Sequence, residues 1–92
     1  MALTKETIVD KIEVMEKGQV QVRTATRVME DGVELSSSFH RHVVEPSTKT
    51  GDTWADTDIS GEDARVQAVA NATWTSAVKT AYQEMMDAQA TP

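Results

Sequence analysis

Asp31-Gly32 stands between two runs that alternate apolar and polar residues, QVQVRTATRVME before it and VELSSSFHRHVV after it. Both central residues of a two-residue hairpin turn must adopt positive φ, and Asp-Gly is among the few pairs that do so cheaply. The alternation on either side has period two, the signature of strands with one face in and one face out. Together they predict a β-hairpin and set most of what the first half can become. A third alternating run, TIVDKIEVM, precedes the other two across Glu16-Lys17-Gly18, a three-residue loop with glycine suited to the left-handed position.

Pairing Glu30 with Val33 across the turn opposes Val28 to Leu35, Thr24 to Phe39 and Val20 to Val43. Pairing Met15 with Gln19 opposes Val14 to Val20 and Ile12 to Val22. In this register the apolar sets share one face, with Asp10 the one polar member on the first strand. A slip of one residue would turn a strand inside out. The expectation is an α+β fold: a three-stranded antiparallel meander over about 7–15, 19–30 and 33–44. Arg41 then points inward at the sheet's end and is expected to snorkel outward.

An apolar sheet face needs a cover. Ser60-Gly61-Glu62-Asp63 reads as a helix start with Ser60 as N-cap and acids in the first turn. Val66, Val69, Ala70, Trp74, Ala77, Ala81 and Met85 recur at helical spacing. The predicted helix runs from about 61 to 88 and lies on the sheet, kinked or broken near Thr75, itself a plausible N-cap. Residues 45–59 between sheet and helix read as a long loop in a single domain spanning 1–92. Trp54 in that loop either folds back on the core or anchors a partner.

Composition narrows the function. The chain is 39% hydrophobic and 26% charged, within the globular range. A net charge of −6 argues against general nucleic-acid binding, which draws on Lys and Arg against phosphate. The acid is concentrated in 45–92, with three Lys/Arg against eight Asp/Glu, whereas 1–44 has six against seven. No run approaches the ~18 apolar residues of a membrane span. The opening MALTKETIVDKIEV has no secretory pattern, so the expected setting is not one reached by a signal peptide. Without cysteine, disulfides, thiolate metal sites and thiol chemistry are excluded.

His40 and His42 are the only histidines. Spaced i, i+2 on a strand, they point to one side, and the register above places them opposite the core face, beside Lys11, Arg23 and Arg27. Two imidazoles and a distant carboxylate fall short of the converging set that zinc takes. An open sheet face also offers no closed pocket for acid–base work. Asp56-Thr57-Asp58-Ile59-Ser60-Gly61 matches the opening of a calcium loop, but its twelfth position is Gln67 in place of a bidentate Glu. No catalytic residue, metal, cofactor or small-molecule substrate is expected. Whether Asp56, Asp58 and Ser60, or the histidines, take a metal in an assembly stays open. The candidate partner-binding residues are Arg23, Arg27, His40, His42 and Trp54.

The runs QVRTATRVMEDGVELSSSFHRHVVEP and SGEDARVQAVANATWTSAVKTAY resemble a group of small proteins encoded by tailed bacteriophages, especially of aquatic hosts. The likeness extends from about Lys5 to about Tyr82 and rests on the EDG hairpin, the FHRHV strand, the proline after it and the SGEDARVQA helix start. Glu45 to Ile59 looks longer here than in those relatives. The resemblance implies a non-enzymatic virion structural or assembly protein, binding itself or other virion proteins, in the virion or host cytoplasm. An alternative is a cytoplasmic phage accessory protein that binds a host or phage protein through the Arg/His face.

Overall fold

The structure, a computed structural model, describes residues 2–90. Three long strands, β1 (Leu3–Val14), β2 (Val20–Glu30) and β3 (Val33–Val44), form an antiparallel sheet in the order β1-β2-β3. A hairpin of β4 (Ser47–Thr50) and β5 (Thr53–Asp56) follows, then helices α1 (Ala64–Thr73) and α2 (Ser76–Ala90). The expected α+β fold with its three-stranded meander is what the chain forms, and the single helix expected over about 61–88 is two helices that break near Thr75.

Local chemistry places the joints. Asp31 and Gly32 have φ of 51° and 83°, the paired positive values the β2–β3 turn requires. Gly18 turns the chain from β1 into β2 with φ of 90°, and a Cβ there would lie 2.5 Å from Val78 Cγ1. Asp63, not Ser60, caps α1, its carboxylate accepting from the Arg65 N–H at 2.9 Å. Ser60 is held one turn earlier, donating its backbone N–H to Asp58 Oδ1 at 2.9 Å. α1 ends where Trp74 leaves helical geometry, at φ −85° and ψ 72°. Thr75 starts α2, its hydroxyl accepting from the Val78 N–H at 3.3 Å.

The break gives the two helices different partners. α1 lays Val66, Val69, Ala70 and Trp74 against Val20, Val22 and Val44 of the sheet, with Val9, Ile12, Ile59 and Val78 around them. Trp74 fixes this contact by donating its indole N–H to the Gly18 carbonyl at 2.7 Å. α2 faces the β4–β5 hairpin instead, through Tyr82 on Trp54, Gln83 on Ser47 and Asp87 on Lys49. Residues 45–59, read from sequence as a loop, thus contain a short hairpin turned by Gly51 at φ 61°.

The register of β1 on β2 agrees with expectation from Val14↔Val20 to Ile12↔Val22, then shifts between Val9 and Lys11, leaving Asp10 as a bulged residue. The register of β3 on β2 departs sooner. Glu30↔Val33 and Met29↔Glu34 are followed by Val28↔Ser36, so Leu35 is an extra residue in the ladder. Beyond it every pair is displaced by one: Thr24 meets His40 and Val20 meets Val44. Beyond Leu35 this inverts β3 relative to the sequence reading: Phe39 and Val43, expected in the core, are 49% and 53% exposed, and Val44 is the buried residue. Val33, in its expected register, and Leu35 are also exposed, at 64% and 55%.

The core occupies only the end of the sheet near Gly18. The remainder of the meander projects past the helices, and the molecule measures 58 × 28 × 22 Å. Its Cα radius of gyration is 17.2 Å, against about 12 Å for a compact chain of this length.

Candidate functional site

Strand pleating and register distribute the candidate residues over two faces. On the helix-free face, Arg23 is clamped by Asp10, with Nε and Nη2 each 2.9 Å from a carboxylate oxygen. A bulge places two side chains of one strand opposite one of the other, so Asp10 and Lys11 both stand against Arg23. The planar guanidinium then meets the carboxylate in the two-pronged geometry that suits it. The hydrogen bond from Arg23 holds the Asp10 carboxyl below its usual value, against the opposing effect of burial. Arg27 adds a longer approach to Asp10 at 4.0 Å and a pair with Glu34 at 3.4 Å.

Around this clamp the face is mixed. The Arg23 guanidinium lies 4.5 Å above the Phe39 ring, a cation–π contact. Lys11 pairs with Glu13 at 2.9 Å, and that bond lowers the Glu13 carboxyl. Arg41 lies directly across from Arg23 and makes no hydrogen bond or ion pair among the described residues. A shallow cavity of about 200 Å³ opens here, lined by Lys11, Glu13, Gln21, Arg23, Arg41 and Val43 along with parts of Val22 and His42.

His40 and His42 lie on the opposite face, the one α1 covers, because of the Leu35 bulge. The expected grouping of Arg23, Arg27, His40 and His42 on a single face is therefore corrected: the sheet separates arginines from histidines. His42 Nε2 is 2.8 Å from Glu62 Oε1, tying β3 to the segment before α1. The two imidazole planes are inclined by 27°, with centroids 6.3 Å apart. Arg41, expected to point inward, belongs to the open face with Phe39 and Val43.

Trp54 folds back. Its ring meets Tyr82 edge-on at 6.0 Å, and its indole N–H donates to Asp87 Oδ2 at 3.2 Å. Lys49 bonds the other oxygen of Asp87 at 2.8 Å, and these two donors lower the Asp87 carboxyl. Burial, with Glu45 beside it, pushes the Tyr82 hydroxyl up to about 12. In the calcium-like stretch, Asp56 pairs with Lys79 at 2.9 Å and Asp58 accepts from the Ser60 N–H. No three His, Asp or Glu side chains converge as a ligand set among the described residues.

Sequence reasoning missed the Asp10–Arg23 clamp and the His42–Glu62 bond. For the clamp a signal existed. Asp10 interrupts an otherwise apolar row, and a polar residue out of phase on an edge strand is a mark of a bulge. No helix among the described residues is long and apolar enough to cross a membrane. No protein-family model, curated protein or solved structure matches the chain.

Proposed function

We propose that this is a non-enzymatic structural or assembly protein of a phage particle, acting through self-association and contacts with other virion proteins. The observation that carries the reading is the projecting meander, whose outer half is covered on neither face by the described residues. Leu3, Ile8, Val33, Leu35 and Phe39 are exposed along it. The accessible surface is 6217 Å², whereas a compact monomer of this mass has about 5,300 Å². The excess is comparable to the ~800 Å² each partner contributes to a standard protein interface. The phage setting rests on the resemblance of the hairpin, the FHRHV strand and the SGEDARVQA segment. Size-exclusion chromatography with light scattering tests the association, and mass spectrometry of purified particles tests the setting. A strict monomer at high concentration that binds no virion protein defeats the proposal.

A second reading is favoured by Arg41, which lines the 200 Å³ depression and makes no salt bridge among the described residues. In it the protein is a cytoplasmic accessory factor that docks an acidic segment of a host or phage protein on the arginine face. Absence from purified particles, with an Arg41→Glu-sensitive partner recovered from infected cells, supports this alternative.

A further inference from the structure

The two edges of the meander are not equivalent. β1 is bulged at Asp10, carries Lys5 and Lys11, and has the Arg65 guanidinium of α1 donating to the Val9 carbonyl. Bulges, lysines and covering groups are the devices that keep an edge strand from pairing with another chain. β3 has none of them after Leu35. From Ser36 to Val44 its ladder with β2 is regular, it contains no lysine, acid or proline, and no strand among the described residues pairs with its outer edge.

We infer that β3 is the self-association edge, pairing antiparallel with β3 of a second copy about a two-fold axis at His40. The inference rests on the self-association reading above and specifies its geometry. Face matching admits only pairings of even with even and odd with odd, since a slip of one would set each strand's faces against the other's. A two-fold at His40 opposes Ser38 to His42, Ser37 to Val43 and Phe39 to Arg41. A two-fold at Arg41 sets two guanidinium groups opposite each other, and like charges so placed repel. A two-fold at Phe39 leaves Arg41 facing Ser37.

The His40 register supplies what the isolated chain lacks. Arg41 already faces Arg23 across the ladder and makes no salt bridge among the described residues, while Phe39 carries Arg23 on one side and is 49% exposed. In the dimer each Arg41 lies beside the open side of the partner copy's aromatic ring, a second cation–π contact. The apolar row Ile8, Ala25, Phe39 of one copy then runs on into the cationic row of the other. The three-stranded sheet becomes six-stranded, with Ser36 of each arm opposite Val44 at the base of the other.

The absence of native cysteine makes the register measurable by cross-linking. Directly opposed residues of an antiparallel pair have Cα atoms about 4.5–5.5 Å apart, within the range a disulfide spans. His40→Cys alone is expected to form a disulfide dimer under mild oxidation. Ser37→Cys and Val43→Cys are expected to cross-link when mixed about tenfold faster than either does alone, because pairing raises the local thiol concentration. All three positions are solvent-accessible on β3, and matching circular dichroism of the variants checks that the fold is kept. If the wild-type protein is a dimer by light scattering but His40→Cys and the mixed pair do not cross-link, the edge assignment is wrong and self-association stands. If the wild-type protein is a monomer, both fail.

Discussion

Gly18 is the residue on which the base of the fold closes. Its backbone has φ of 90°, its carbonyl receives the Trp74 indole, and a Cβ would lie 2.5 Å from Val78 Cγ1 and 3.0 Å from Pro46 Cγ. Gly18→Ala combines a left-handed backbone with overpacking, and should cost about 2–4 kcal/mol in urea unfolding. Gly32→Ala is the informative comparison. It shares the positive φ but nothing among the described residues lies within 4 Å of its Cβ position, so only the backbone part of the loss, about 1–2 kcal/mol, is expected. Asp10 yields a prediction of a different kind. Its folded-state pKa is depressed by Arg23, so its contribution is present above the ordinary carboxylate value and is lost as pH falls from 3.8 downward. Glu13, Asp58 and Asp87 are lowered too and share that sign. Asp10→Asn should therefore shrink, without abolishing, the drop in urea midpoint between neutral and strongly acidic solution. An unchanged drop means the clamp adds nothing to stability.

At the scale of elements, the β4–β5 hairpin depends on α2. Trp54 reaches both Tyr82 and Asp87, and Lys49 reaches Asp87. Trp54→Ala removes the ring contact and one donor to Asp87, so amides of 47–56 should exchange faster while those of β2 keep their protection. The associated loss is about 1–3 kcal/mol. Equal acceleration in β2 would show that hairpin and meander unfold as one unit. The same segment marks a limit of sequence reading. STKTGDTWAD has few apolar residues to alternate, and its strands of four residues become visible only through contacts supplied by α2, thirty residues away. The meander was legible because its turns are chemically explicit and its runs long. The helix break near Thr75 was legible from a hydroxyl placed to cap a new start. The side assignment of β3 was not. A ladder read from the Asp31-Gly32 turn propagates any error outward, and one extra residue at Leu35 exchanged the faces of Phe39, His40, Arg41 and His42. Nothing in the polarity of VELSSS was available to reveal it, since Val33-Glu34-Leu35 alternates well in either register. The candidate site suffered most, because its residues lie beyond that bulge.

The whole molecule is longer than its core can account for. Val20, Val22, Val44, Val66, Ala70 and Trp74 gather at one end, yet strands of eleven and twelve residues extend for roughly 40 Å. A sheet of three strands gains independent stability from a covered apolar face, and here the cover stops midway. The outer half is held by its own ladders, by the Arg23–Asp10 clamp and by Ala2 meeting Asp31 at the tip. Association that pairs β3 with another copy would add a fourth neighbour to that half and couple its folding to assembly. Stability would then depend on protein concentration, because mass action favours the folded dimer. For a dimer that unfolds to two separate chains of this length, a tenfold rise in concentration should raise Tm by about 3–5 °C. Phe39→Ala should abolish that dependence while changing the Tm measured at high dilution little, since Phe39 is half-exposed in the isolated chain. Differential scanning fluorimetry over a hundredfold concentration range reads both effects. A Tm independent of concentration in the wild-type protein would mean that the projecting arm folds without a second copy, and would overturn the coupling of its folding to self-association.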